Sequence, residues 1–253
     1  MISIFNEYQY AKDVLEKGCI SNKQGLELFI LAKYYRFECG KNKNECKNAL
    51  TDFCNKYVDN YEKGDFYVKV NSALNQAYKK NARLLKIWNI EFSDSELRYI
   101  KNLNISPIAQ KLLFCLWCCN KLNIKAGQSD KWIATTPNDL KKFSGLKSKT
   151  QVINIINELY KEKLVFVSDK WAIGLMFLDN VIVGSNDNKF QITDFTTCGL
   201  WWEDYIGNKK VTQCKCCSKL FVKNSNRQRY CKDCAKEKEL EKYDKYNQKR
   251  DKS

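Results

Sequence analysis

Two pairs of cysteines near the C-terminus have the spacing of a metal site. Cys214 and Cys217 make one C-x-x-C pair and Cys231 and Cys234 a second, with the thirteen residues from Ser218 to Tyr230 between them. A two-residue spacer lets one tight turn present two thiolates, and two such turns can converge on the tetrahedral four-sulfur arrangement that suits Zn2+. With all four positions filled by protein, the zinc expected here is structural and has no open position for catalysis. Cys216 is an additional thiol that could stand in for Cys214 or Cys217, but the C-x-x-C spacing favours Cys214 with Cys217.

Between the pairs, Leu220-Phe221-Val222 and Gln228-Arg229-Tyr230 read as two short strand arms around the turn-forming Asn224-Ser225-Asn226. The helix-favouring run Ala235 to Lys242 follows Cys234. A knuckle, a hairpin and a helix with the last ligands in its first turn make a treble-clef-like finger. Ser218 stands where such fingers usually carry glycine, which speaks against a left-handed turn there.

The finger is basic where it would meet a polyanion. Lys215, Lys219, Lys223, Arg227, Arg229 and Lys232 surround it, and Asn224, Ser225 and Asn226 at its tip offer hydrogen bonds. Of the chain's net charge of +15, the stretch Lys209 to Ser253 holds +9, from 15 Lys/Arg against 6 Asp/Glu. The preceding Asp179 to Asn208 is acidic, with one lysine and five acids. The net charge points to a polyanionic partner, and the basic tail of this module could add salt-dependent phosphate contacts without reading sequence. The sequence contains no histidine, which excludes His acid/base chemistry and His zinc ligation. It also carries no Walker loop and no carboxylate pair at an interpretable spacing, so neither an enzyme nor a small-molecule substrate is expected.

A second set of candidate contacts lies at residues 136–178. Thr136 caps a short helix, Pro137 to Phe143; Ser144-Gly145-Leu146 turns; and Ser148 with Gln151 starts a longer helix, Lys149 to Glu162. Leu140, Phe143, Leu146, Val152, Ile156 and Leu159 supply the core, leaving Lys149, Thr150, Asn154, Asn157 and Lys161 pointing outward. Lys147, Lys149 and Thr150, with Asn154 behind them, are placed to meet phosphates or base edges at a helix N-terminus. Leu164 to Val167 and Trp171 to Leu178 flank Ser168-Asp169-Lys170 as a hairpin, and Val181-Ile182-Val183 offers a further strand. This segment resembles winged helix-turn-helix domains, a resemblance that implies a recognition helix in the major groove or, alternatively, a protein-docking scaffold.

The N-terminal third has helical periodicity. It predicts one helix through Tyr8, Ala11 and Val14 to Gly18, a second through Leu26 to Phe37 ended by Gly40, a third from Glu45 to Tyr57, and a fourth from Asn71 to Arg83. Leu85 to Phe92 switches to period two and predicts a strand, whose partner sequence does not choose. Ser93 with Glu96 opens a helix, Asp94 to Asn102; Pro107 opens another, Ile108 to Leu122, in which Cys115, Cys118 and Cys119 read as core. A strand at Lys189 to Phe195 and a helix at Thr197 to Ile206 follow, and Trp201, Trp202 and Tyr205 in that helix are either core or a partner surface. The fold class expected is mainly α with small β elements (α+β). Its modules are a helical one at 1–92, a winged-helix domain with an acidic extension at 93–208, and a basic zinc-finger module and tail at 209–253.

Thirteen cysteines without a signal peptide suit a reducing cytoplasm, and the longest apolar run, Leu112 to Cys119, is too short to span a bilayer. The chain resembles proteins encoded by phages and other mobile elements of low-GC Gram-positive bacteria. The resemblance rests on Phe-Asn-Glu-Tyr-Gln-Tyr-Ala-Lys at 5–12, Leu-Ala-Lys-Tyr-Tyr at 31–35, and Cys-x-x-Cys-Ser-Lys-Leu-Phe with Lys-x-Ser-Asn-Arg-x-x-Tyr-Cys-x-x-Cys-Ala near the C-terminus. It implies a phage or mobile-element setting; the helix-turn-helix segment, the basic finger and the +9 tail together point to a non-enzymatic DNA-binding accessory or regulatory protein. Alternatively, the acidic Trp201/Trp202 segment and the N-terminal module without a motif of its own suit a protein-binding adaptor, such as a recombination directionality factor acting on a serine integrase or an inhibitor of a host nucleic-acid machine.

Overall fold

A computed structural model describes residues 6–18, 24–58, 63–128, 132–181 and 188–250, with side chains as far as Tyr243. The protein is mainly α-helical with small antiparallel sheets, an α+β fold. It divides into two compact units, residues 3–88 and 89–253.

In the first unit, α1 (Glu7–Lys17), α2 (Gln24–Phe37), α3 (Lys43–Tyr57) and α4 (Lys63–Ala77) surround one core. Helix α2 is apolar on several sides, burying Leu28, Ile30, Leu31 and Ala32, because it packs on α1, α3 and α4 together. Helix α4 lies earlier than the periodicity predicts. Its buried stripe is Phe66, Val70, Ala73, Leu74 and Ala77, and it stops at Ala77 because the Arg36 guanidinium takes the carbonyls of Ala77 and Lys79. Buried Glu7 forms an ion pair with Lys33 and accepts the Leu85 N–H at 2.8 Å, tying α1 to the chain beyond α4. Burying that pair is tolerable because each charge has its opposite, the carboxylate has a further donor in the Leu85 N–H, and Lys33 Nζ lies 4.5 Å from the Phe29 ring centroid.

The second unit begins with β1 (Ile90–Ser93), shorter than the expected strand. Its partner is β5 (Lys189–Ile192), antiparallel, with Phe92 opposite Phe190. Helix α5 (Asp94–Asn102) starts at the reciprocal Ser93/Glu96 capping box. Helix α6 (Pro107–Lys125) is the unit's centre, burying most of its length. Cys115, Cys118 and Cys119 lie within it, beside Cys198, and burial pushes all four thiols up, Cys118 to about 11. They behave as small apolar side chains.

Against α6 pack β2 (Ile133–Ala134), α7 (Pro137–Ser144) and α8 (Lys149–Lys161). A hairpin of β3 (Val165–Val167) and β4 (Ala172–Leu175) follows. Gly145 ends α7 at φ +70°, the left-handed turn that lets α8 leave at a new angle. The sheet order β2-β4-β3 makes β2, upstream of the two helices, the third strand. The expectation at 181–183 takes a different course: Val181 is not in a strand, and 182–183 lie outside the described residues. Helix, short strand, helix-turn-helix and hairpin thus follow one another in the order α6, β2, α7, α8, β3 and β4.

Helix α9 (Cys198–Tyr205) lies against α6 and α7. Gly199 permits that approach, since a Cβ there would stand 2.2 Å from the Ser144 carbonyl oxygen. Glu203 forms an ion pair with Lys111 of α6, so this acid of the acidic segment is used internally. Trp201 and Trp202 are core residues rather than a partner surface: Trp202 packs on Phe114, and the Trp201 Nε1–H donates to the Asp194 carbonyl at 3.0 Å. Tyr205 is half-buried against Trp202 and Phe190. The same helix supports β6 (Val211–Gln213) and β7 (Leu220–Val222), and α10 (Lys232–Arg250) follows. Among the described residues, no helix is long and apolar enough to cross a membrane.

Candidate metal centre and nucleic-acid interface

The finger's hairpin differs from the expected one. Leu220–Val222 pairs with Val211–Gln213, ahead of the first cysteines, and 228–230 is not a strand. The knuckle is therefore the hairpin's own loop: Cys214 N–H donates to Lys219 O at 2.9 Å and Ser218 N–H to Cys214 O at 2.9 Å. Ser218 closes it at φ +58°, the left-handed conformation its side chain argued against. The segment 228–230 instead lies alongside the knuckle, where Arg229 O accepts the Lys215 N–H at 3.0 Å. Helix α10 places Cys234 in its first turn, just after Cys231.

The sulfurs of Cys214, Cys217, Cys231 and Cys234 all lie within 4.8 Å of one another. A tetrahedron with Zn–S bonds of about 2.3 Å has an edge of about 3.8 Å, and the Cys217 and Cys231 sulfurs are 3.8 Å apart. The donor set thus fits one thiolate-bound divalent ion of zinc's size. Cys216 is exposed and outside this set. Burial works to raise the Cys214 thiol, but the backbone N–H groups of Cys217, Cys231 and Cys216 outweigh it and bring it down to about 6. The Cys217 thiol is raised by burial, and that of Cys234 chiefly by its hydrogen bond with Cys217. Without a cation one thiolate makes the next costlier, and a divalent ion reverses that order.

On α8, Val152, Ile155, Ile156 and Leu159 face the core. Lys147, Lys149, Thr150 and Asn154 are exposed, and Lys147, Thr150 and Asn154 border an open groove with Ser148, Gln151 and Glu158. Asn157 and Lys161 are exposed further along. The Ser148 hydroxyl accepts the Gln151 N–H at 3.1 Å, and Gln151 Oε1 accepts the Lys147 N–H at 3.1 Å. Glu158 is bound on its inner side, accepting the Ser106 N–H at 2.9 Å and its hydroxyl at 3.1 Å. Nothing in the sequence marks that link, because the two residues are 52 apart.

In the finger, Lys215, Lys219, Asn224, Asn226, Arg227, Arg229 and Lys232 are exposed, and Lys223 is half-buried. The Gln228 side chain accepts the Asn224 N–H at 2.8 Å, shaping the tip. An exposed ring pair, Trp132 beside β2 and Phe166 of β3, has no mark in the sequence. Their separation in the chain gave no local signal.

No protein-family model matches the chain, and no solved structure matches it. Over 97 residues, 38% of its length, the chain is 31% identical to the DNA-directed RNA polymerase YonO of Bacillus phage SPbeta. The match spans 9% of that protein.

Proposed function

We propose that this is a non-enzymatic DNA-binding accessory or regulatory protein of a phage or mobile element. Helix α8 enters the major groove of a duplex, with Lys147, Lys149 and Thr150 meeting phosphates and Asn154 reaching base edges. The finger adds contacts through Lys219, Lys223, Asn224, Asn226, Arg227, Arg229 and Lys232. Cys214, Cys217, Cys231 and Cys234 hold a structural Zn2+, which fixes the finger's shape and supplies no reacting group. The observation that carries this reading is the division of α8 into a buried apolar stripe and an open polar, basic N-terminal face. The similarity to a phage protein named a DNA-directed RNA polymerase supports a nucleic-acid setting.

The test is titration of the full-length, zinc-loaded protein into labelled duplex DNA over a range of salt. Affinity is expected to fall linearly on a logarithmic salt scale, and Lys149→Ala to reduce the slope by about 1. Absence of salt-dependent binding at low ionic strength would remove this reading. One observation favours the second, protein-adaptor reading: Trp132 and Phe166 are 40% and 47% exposed with ring centroids 5.5 Å apart. Capture of a candidate integrase that Phe166→Ala abolishes, with duplex binding unchanged, would support that alternative.

A further inference from the structure

Tyr230 and one face of α10 border an open hollow of about 780 Å3, distinct from the groove on α8. Tyr230, immediately before Cys231, contributes to one wall. Ala235, Lys238, Glu239, Lys242 and Tyr243 recur at three- and four-residue steps, one face of α10, and contribute to the other. Lys238 Nζ stands 4.7 Å from the Tyr230 ring centroid, so a cation already covers that ring. Tyr243 is 61% exposed and offers its ring to whatever enters. Arg229, Lys232 and Lys242 are exposed nearby, and the stretch from Lys209 onward is strongly basic.

A single-stranded nucleic acid has the complementary chemistry, flat π faces for an aromatic ring and phosphates for the lysines. Glu239 at the hollow repels a phosphate and can accept a base N–H, which favours a base inside and the backbone outside. A duplex keeps its bases stacked and cannot offer one. We propose that this hollow binds one unpaired nucleobase of a single-stranded nucleic acid, stacked on Tyr243, with Lys238 and Lys242 at the flanking phosphates. The proposal rests on the nucleic-acid reading above and adds a strand state that α8 does not require.

Full-length, zinc-loaded protein is titrated with labelled oligo(dT), a duplex, and inorganic polyphosphate, as wild type, Tyr243→Ala, Tyr243→Trp and Lys149→Ala. Tyr243→Ala is expected to weaken oligo(dT) binding at least about fivefold and leave duplex and polyphosphate binding unchanged, with Tyr243→Trp restoring it. Unchanged zinc content and melting temperature verify that this exposed substitution leaves the fold intact. Lys149→Ala is expected to weaken the duplex alone, so failure at α8 and failure at the hollow are separate results. Wild-type oligo(dT) affinity in Tyr243→Ala overturns the proposal, and so does an equal loss towards duplex or polyphosphate.

Discussion

Ser218 shows how a single position can oppose its own turn. A non-glycine residue in the left-handed region costs about 1–2 kcal/mol, and Ser218 occupies it at φ +58° because the Cys214–Cys217 knuckle must reverse the chain between β6 and β7. Ser218→Gly is therefore expected to stabilise the zinc-loaded protein by about 1 kcal/mol, read as a higher urea midpoint with an unchanged slope. Gly199 carries the opposite constraint. Its missing Cβ is what admits the Ser144 carbonyl, and Gly199→Ala is expected to cost about 1–3 kcal/mol through overpacking. An unchanged melting temperature in that variant would contradict the close approach of α9 to α7. The cysteine ligand set was legible because metal chemistry fixes spacing. The left-handed Ser218 was not, since residue preference pointed one way and chain reversal the other.

At the scale of elements, helices with caps were legible, and so were β1, β3, β4, β5 and β7 from their apolar or alternating runs; β2 and β6 were not. The Ser93/Glu96 and Ser148/Gln151 signals mark the starts of α5 and α8, because a cap satisfies donors locally. Strands β2 and β6, of two and three residues and outside any apolar or alternating run, show no period, and tertiary pairing chooses them. The placement of α4 failed for a related reason: its end is set by Arg36, forty-one residues before Ala77. The finger itself is small, with β6, β7 and the start of α10 gathered around the sulfurs. Chelation of the metal is expected to release these elements while α6, α7 and α8, which have their own core, persist. Hydrogen exchange before and after chelation measures it: protection lost at 211–235 and retained at 107–161 is the expected pattern, and uniform loss would contradict it.

At the scale of the molecule, the two compact units place β1 with the later part of the chain. A fragment of residues 89–253 is expected to fold cooperatively and bind one metal ion. Starting at residue 94 instead deprives β5 of its partner and is expected to broaden and lower the melting transition, as read by circular dichroism. Identical melting of the two fragments would show that the β1–β5 pair contributes nothing. That pair also bears on synthesis. Ile90 meets Ile192, so all the residues between them must be made before the small sheet can close. At about 5–20 residues per second, roughly a hundred residues keep β1 waiting for about 5–20 seconds. Through that interval the strand is an unpaired edge on the ribosome, exposed to chaperones and to other nascent chains.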